Sequence, residues 1–287
     1  MNFSEKQIDV TITLAQGNFA NGTNTVTLSG HRVTANIVNH GGDDQSFADL
    51  SIYGMSEEVM NQLSNVGSQY KKSYLNDISV MAGDSVSGMS LVFTGQIWNA
   101  FIDAQSLPEV FFQVSARPGY YYQMKPTTPT SIQGSGDVAL MMKNLASEMG
   151  FSFENAGVKA RLANPYYWGT AWQQVAQIAR DAGVEWFLDR GTLVIMNAST
   201  PREGDTPIIS ANTGMLGYPV FNQNMVIVRS LFNPGIKYGG NVQIQSELTA
   251  ANGNWIVQDL QYELDSLLPG GRWNMVITGR IAGETTP

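Results

Sequence analysis

The stretch NDISVMAGDSVSGMSLVFTGQIWNAFID, Asn76 to Asp103, decides how this chain is read. Two alternating segments flank a Gly/Ser-rich turn region, the pattern of a β-hairpin. On the returning strand Leu91, Phe93 and Ile97 are expected to share one face with Gly95, whose missing side chain leaves room for another backbone. Moved by 164 positions the pattern recurs without a gap. Ile78 and Val80 fall on Val242 and Ile244, Leu91 and Phe93 on Trp255 and Val257, and Trp98 on Tyr262. A chain that builds one β-module twice, with different material between, makes a symmetric surface rather than a single catalytic cleft.

Working outward, the first segment is strand-dominated. Ile8, Val10, Ile12 and Leu14 alternate, as do Val33, Ala35 and Ile37, and Phe47–Tyr53, Ile78–Met81, Met89–Trp98 and Val110–Ser115 complete about six strands. One helix interrupts them, with Ser56 as N-cap, Glu57 and Glu58 at the positive end of the dipole, and Val59, Met60 and Leu63 as the buried stripe. Six strands and a helix on a nearly closed antiparallel sheet predict a small barrel. The connector ARPGYYYQMKPTTPT, Ala116–Thr130, carries three prolines and three consecutive tyrosines and is expected to be extended.

The period then switches. Val138, Met141, Met142, Leu145 and Met149 mark a helix stopped by Gly150, with Phe151–Phe153 entering a strand. Thr170 and Gln173 form a capping box for a second helix that buries Trp172, Val175, Ala176 and Ala179 and ends at Gly183. Strands Val184–Leu188 and Thr192–Met196 turn about Asp189-Arg190-Gly191. LASEMGFSF and IARDAGVEW thus repeat one helix–Gly–strand plan in a small α/β module. Strands return at Met225–Leu231, Val242–Ser246, Trp255–Leu264 and Trp273–Ile281, with Ile256, Leu260, Tyr262 and Leu264 facing one way. The chain divides into 1–118, a first β-barrel; 119–131, the connector; 132–200, the α/β module; and 201–287, a second β-module. The fold class is mainly β with an α/β insert (α+β).

Composition narrows the function. Charged residues make up 14% of the 287, against roughly a quarter in an average soluble domain. Charge-poor surface suits a subunit buried against partners, although a β-rich protein with a neutral surface has the same composition. The net charge of −8 divides as −6 in residues 1–118, 0 in 119–200 and −2 in 201–287. No segment is basic, which argues against specific nucleic-acid binding. With no Cys there is no disulfide, thiolate metal site or cysteine nucleophile. No apolar run reaches the ~18 residues of a membrane span. MNFSEKQIDV alternates like a strand and lacks the apolar core of a signal peptide, so the expected site of synthesis and assembly is a cytoplasm.

Candidate chemistry is thin. His40-Gly-Gly-Asp43-Asp44 resembles a metal site, but it lies where two strands need a turn and turn chemistry accounts for it. Gly134-Ser-Gly136-Asp137 opens a helix without the spacing or Lys of a phosphate loop, and Asp137 reads as an N-cap. Glu57-Glu58 and Asp43-Asp44 are i,i+1 neighbours that do not converge as an acid/base pair. No Ser/His/Asp arrangement stands out. The expectation is no catalytic residue, cofactor or metal.

LSIYGMSEEVMNQL (Leu50–Leu63), NDISVMAGD, LVFTGQIWNAF and PEVFFQVSARPGYYYQMKP (Pro108–Pro126) resemble the baseplate hub proteins of tailed bacteriophages. LFNPGIKYGGNVQIQS (Leu231–Ser246) and GNWIVQDLQYELDSLLPGGRWNM (Gly253–Met275) extend the resemblance over nearly the whole chain. It implies two tail-tube-like β-barrels with α/β material between them. It also implies a homotrimer with pseudo-sixfold symmetry that joins the tail tube, or a tube initiator, to a trimeric spike. The tape measure protein and the baseplate wedge are further partners it implies. DNA passes through the channel without specific binding, and the place of action is the virion. The family's enzymes sit on extensions, and this sequence reads as having no room for one. On that reading Asp43, Asp44, Asp49, Asp77, Asp84 and Asp103 are candidates for an acidic channel lining, the plainer account being that they solubilise loops. The competing reading is a host-surface or carbohydrate-binding tail protein. Trp98, Trp168, Trp172, Trp186, Trp255 and Trp273 fall mostly on expected core faces, which disfavours it.

Overall fold

The structure, a computed structural model, describes residues 4–42, 46–64, 75–105 and 107–281. The chain is mainly β and forms two compact units, each interrupted in sequence. The first takes residues 1–38, 47–118 and 262–274, and the second takes 39–46, 119–261 and 275–287.

In the first unit the strands are β1 (Lys6–Thr13), β2 (Thr25–Leu28), β3 (Val33–Asn39), β4 (Phe47–Tyr53), β5 (Asp77–Asp84), β6 (Gly88–Asp103) and β7 (Phe111–Arg117), with helix α1 (Glu57–Leu63) after β4. They pair in the order β2-β1-β5-β6-β7-β4-β3. Among the described residues that path is open, ending at β2, rather than closed on itself. Ile8, Val10 and Ile12 lie on the buried face together with Ala35, Leu50, Val80 and Val114, as period-2 alternation requires. Ser56 caps α1 by accepting the amide of Val59, and Met60 and Leu63 are the side chains it buries. The strand Thr25–Leu28, too short and too rich in Thr to show a period, is additional to the six expected.

One expected face is corrected. Val80 pairs with Phe93 but Met81 pairs with Leu91, so Val92 is an extra residue and the strand bulges there. A one-residue bulge turns Leu91 to the face opposite Phe93. Gly95 behaves as the sequence indicates: a Cβ there would lie 2.8 Å from both the carbonyl carbon and the oxygen of Arg117 on β7.

The second unit opens with a helix where an extended connector was expected, α2 (Tyr120–Met124). Gly119, left-handed at φ 66°, reverses the chain ahead of it, and Tyr122 packs edge-on against Phe151 at 5.9 Å. The tyrosine run buries rings best as a helical turn. Short strands β8 (Thr130–Ser131) and β9 (Ser135–Asp137) lead to α3 (Val138–Glu148), capped by Asp137. Next come β10 (Ser152–Ala156), β11 (Arg161–Ala163), β12 (Tyr166–Tyr167), α4 (Ala171–Ala182), β13 (Glu185–Asp189) and β14 (Thr192–Met196). The expected capping box of α4 is present in both directions. Both helices end at left-handed glycines, Gly150 and Gly183, and feed strands of one three-stranded sheet, β10-β14-β13. One face of that sheet, including Trp186, Leu188 and Ile195, packs on α3 and α4. The other, with Phe187, Val194 and Met196, packs on Ile256 and Tyr238. Buried Gln174 ties the connector down by accepting from the Thr130 amide and hydroxyl and donating to the Thr128 carbonyl.

The unit is completed by β15 (Ile208–Ser210), β16 (Val220–Asn222), β17 (Met225–Leu231), β18 (Asn241–Gln245), β19 (Gly253–Ser266) and β20 (Trp273–Arg280). The last two strands contribute to both units. The hairpin β18–β19 stands where the 164-residue echo of β5–β6 places it. Its pairing is slid: Ile78 faces Gly95, whereas Val242 faces Trp255, the counterpart of Leu91. Val242 and Ile244 are buried like Ile78 and Val80, but the bulge at Val92 leaves Leu91 outward where its counterpart Trp255 is buried.

Candidate functional site

The face of the first sheet opposite its core is built from short polar side chains. Cross-strand partners set them in rows. Thr27, Thr11, Ser79 and Thr94 form one. Thr25, Thr13, Asp77 and Gln96 form the next. Asn36, Asp49, Ser115 and Asn99 form another. The groups bond to one another: Thr11 with Thr27 and Thr13 with Thr25, each hydroxyl pair at 3.1 Å, and Ser51 to Gln113 at 2.8 Å. Arg117 closes the second row opposite Gln96, its guanidinium 5.3 Å from the Trp98 ring centroid.

The six candidate acids are not equivalent. Asp49 lies on this face and accepts from the Ser115 hydroxyl at 2.6 Å. Asp77 is exposed and accepts from Gln96 at 3.0 Å. Asp103 ends β6 and accepts from the Gln105 amide. Asp43 and Asp44 lie outside the described residues. Asp84 is buried beneath Lys6, 2.6 Å away, and caps its own turn by accepting from the amides of Val86 and Ser87. Its charge is therefore balanced locally. Sequence reasoning missed the hydroxyls and amides that dominate the face and Asp9, which lies opposite Met81. The signal was the odd-numbered series Asp9, Thr11, Thr13 between the buried even positions.

Asp84 makes a pH prediction. The Lys6 ammonium, then the Ser87 amide, hold its carboxyl well below the usual carboxylate range, outweighing burial, which pushes the other way. A folded value below the unfolded one stabilises the protein above about pH 4, and that contribution is lost as pH falls further. Asp84→Asn is expected to lower the urea midpoint at neutral pH, with the gap to the parent narrowing steadily below about pH 4. A gap that stays constant down to about pH 2.5 would contradict this.

The two histidines have separate partners. His31 Nδ1 lies 2.9 Å from the Tyr53 carbonyl oxygen, and His40 Nδ1 lies 2.7 Å from Asp259 Oδ1. Among the described residues no three His, Asp or Glu gather as a metal site would need. An open cleft of about 290 Å³ in the second unit is lined by Gly41, Gly42, Arg180, Glu185, Trp186 and Tyr238. Burial pushes the Glu185 carboxyl up while Arg280, 2.8 Å away, pulls it down, and burial wins. No nucleophile and base are brought together there. No helix of the described residues is long and apolar enough to cross a membrane.

The tryptophans mostly follow the sequence reading, with one exception. Trp186 and Trp255 are buried and Trp98, Trp172 and Trp273 partly so, but Trp168 is 66% exposed, beside an equally open Tyr166. Tyr167 between them points inward and donates to Asp181.

Solved tail proteins share this arrangement. A tail protein from Neisseria meningitidis MC58 aligns with TM-score 0.66 at 12% identity, covering 96% of this chain and 97% of that one. The 43 kDa tail protein of prophage MuSo2 from Shewanella oneidensis gives 0.61 at 12% identity, covering 98% and 97%. The E. coli c3393 protein, a type VI secretion component described as similar to bacteriophage T4 tail proteins gp27 and gp5, gives 0.62 at 9% identity, covering 88% and 74%. The fold is that of tail proteins. Comparison with curated protein sequences gives no match. The profile of the baseplate hub gp41 family matches residues 7–267, and the chain belongs to that family.

Proposed function

We propose that three copies of this chain form the central ring of a tail baseplate, joining a sixfold tail tube to a trimeric spike and leaving a channel for DNA. Each copy supplies two tail-tube-like β-barrels, from 1–118 and 201–287, with 132–200 between them and 119–131 as connector. Its role is structural rather than enzymatic, and its place of action is the virion. The observation that carries the reading is the repeated hairpin: β5–β6 and β18–β19 are antiparallel pairs 164 residues apart, and Ile78 and Val80 of β5 are buried as Val242 and Ile244 of β18 are. Two such modules in each of three copies make six, the number a sixfold tube requires. The hub complex with its tube and spike partners is expected to contain three copies by native mass spectrometry. One, two or six copies would sink the idea.

The polar face of the first unit fits a channel wall. Hydroxyls, amides and scattered carboxylates predominate over Arg117, a cation that lies against the Trp98 ring, and each phosphate contact by Lys or Arg would add salt-dependent affinity. Reversing Asp49 and Asp77 to Lys should preserve the ring and slow DNA ejection. Ejection at the parental rate would remove the wall account while leaving the ring untouched.

A second reading has one observation in its favour. Tyr166 and Trp168, exposed on either side of buried Tyr167, offer two rings on one side of an extended segment, as a glycan platform would. Binding on a glycan array that Trp168→Ala abolishes would support it.

A further inference from the structure

Two turns of the first unit carry the same short motif. β6 ends at Asp103, and the chain passes through Leu107-Pro108 before β7 begins. β19 reaches Asp265 near its end, and the chain passes through Leu267-Leu268-Pro269 before β20 begins. The shift of 164 that relates the hairpins carries β6 to β19, and β7 to within two residues of β20. The turns are therefore counterparts. Each aspartate holds its own turn: Asp103 accepts from the Gln105 amide, and Asp265 accepts from the Arg272 amide at 2.8 Å and from its Nε at 3.1 Å.

One dipeptide, His31-Arg32, reaches both turns. Arg32 Nη1 donates to Glu109 at 3.1 Å, and the guanidinium lies 4.2 Å from the Tyr53 ring centroid. The His31 carbonyl accepts from the Ser266 hydroxyl at 3.0 Å, and Ser266 also accepts from the Val33 amide at 3.0 Å. Both turns thus stand at the same end of the first unit, where β3 begins and β4 stops. Each presents a leucine to solvent, Leu107 at 73% exposure and Leu267 at 37%. A single exposed leucine is ordinary, but two at matched turns form a pattern. Leu267 adds strain, because its φ of 52° lies in the left-handed region that a bulky residue rarely enters. Strain of this kind persists where the surroundings hold it, and it points to function.

We propose that these turns are one contact made twice, and that Leu107 and Leu267 insert into apolar sockets on the tail tube. With two tips in each chain, three copies present six, and a sixfold tube ring offers six sockets of one kind. A trimeric spike offers three and would leave half of the tips unmatched. Each tip contributes by burying its leucine, and the six act together through their common ring. This rests on the ring reading above and adds which end of the first unit meets the tube.

The test uses the hub assembled with its spike and titrated with tube protein. Leu107→Ser removes one tip and Leu267→Gly the other. Glycine suits a φ of 52°, so Leu267→Gly is expected to keep the parental urea midpoint. Each single variant should weaken tube binding by about tenfold or more, and the double variant further, with copy number and spike binding unchanged. A second readout removes no contact from the other turn. The chain contains no Cys, so Leu107→Cys carries a polarity-sensitive dye at one site, whose emission should shift to the blue with tube protein and not with spike alone. A three-copy double variant that binds the tube as the parent does would overturn the contact and leave the ring standing. Loss of spike binding in its place, a dye that does not respond to the tube, or one that responds to spike alone would do the same. A parental complex without three copies would overturn both.

Discussion

Replacing Arg202 by methionine lowers the unfolding free energy by about 3 kcal/mol, because it takes the partner of Glu154 and leaves buried Asp189 with Arg190 alone. Arg202 is buried in the second unit. Its Nε and Nη2 donate to the two oxygens of Glu154 at 2.8 and 2.6 Å, and its Nη1 donates to Asp189 at 2.7 Å and to the Tyr238 carbonyl at 3.1 Å. The guanidinium lies 5.5 Å from the Phe187 ring centroid. Burial opposes the charged form of Asp189, yet Arg190 and Arg202 outweigh it and leave that carboxyl below its usual range. The Arg202 bond does the same for Glu154. The estimate sits at the low end of the range for buried pairs because the Glu154 side chain is 37% exposed and keeps water when its partner goes. Both carboxyls are held low, so the loss is largest above about pH 5 and fades in acid. Urea denaturation followed by tryptophan emission measures it, and a change under about 1 kcal/mol would mean that the cluster contributes little.

Gly95→Val is expected to cost about 1–3 kcal/mol or more, from overpacking rather than lost burial. The first added carbon already meets the Arg117 backbone at 2.8 Å and the tip of Phe93 at 2.9 Å. Phe93 can rotate, but the backbone of β7 cannot yield without disturbing its pairing with β4. Gln96→Ala, next along the same strand on the outward face, should change stability by no more than about 0.5 kcal/mol. Equal effects from the two substitutions would show that β6 and β7 separate freely at this point.

How far the sequence could be read depends on element length. Phe47–Tyr53 and Met225–Leu231 were legible to the residue because seven alternating positions leave one reading, and Thr192–Met196 because a short apolar run follows the Asp189-Arg190-Gly191 turn. Strands of two or three residues, β8, β9, β11 and β12, carry no period and were missed. The tyrosine run failed for a different reason: its helix is set by the left-handed Gly119 and by Phe151, thirty residues away. The bulge at Val92 is equally invisible, because it depends on what the partner strand does. At the candidate channel face the acids attracted notice by their charge, and Asp84 shows the hazard. Lys6, which neutralises it, is 78 residues distant in the chain.

The interleaving of the two units has a consequence during synthesis. The first unit includes residues 262–274, so a ribosome that has released only the first 118 residues has not yet made the strand that pairs with β3. Domains ordinarily fold in the order they emerge. Here β3 waits with one edge open while nearly 150 further residues are translated. Residues 262–274 thus set when the first unit can finish, and a nascent chain cut short before them cannot complete it.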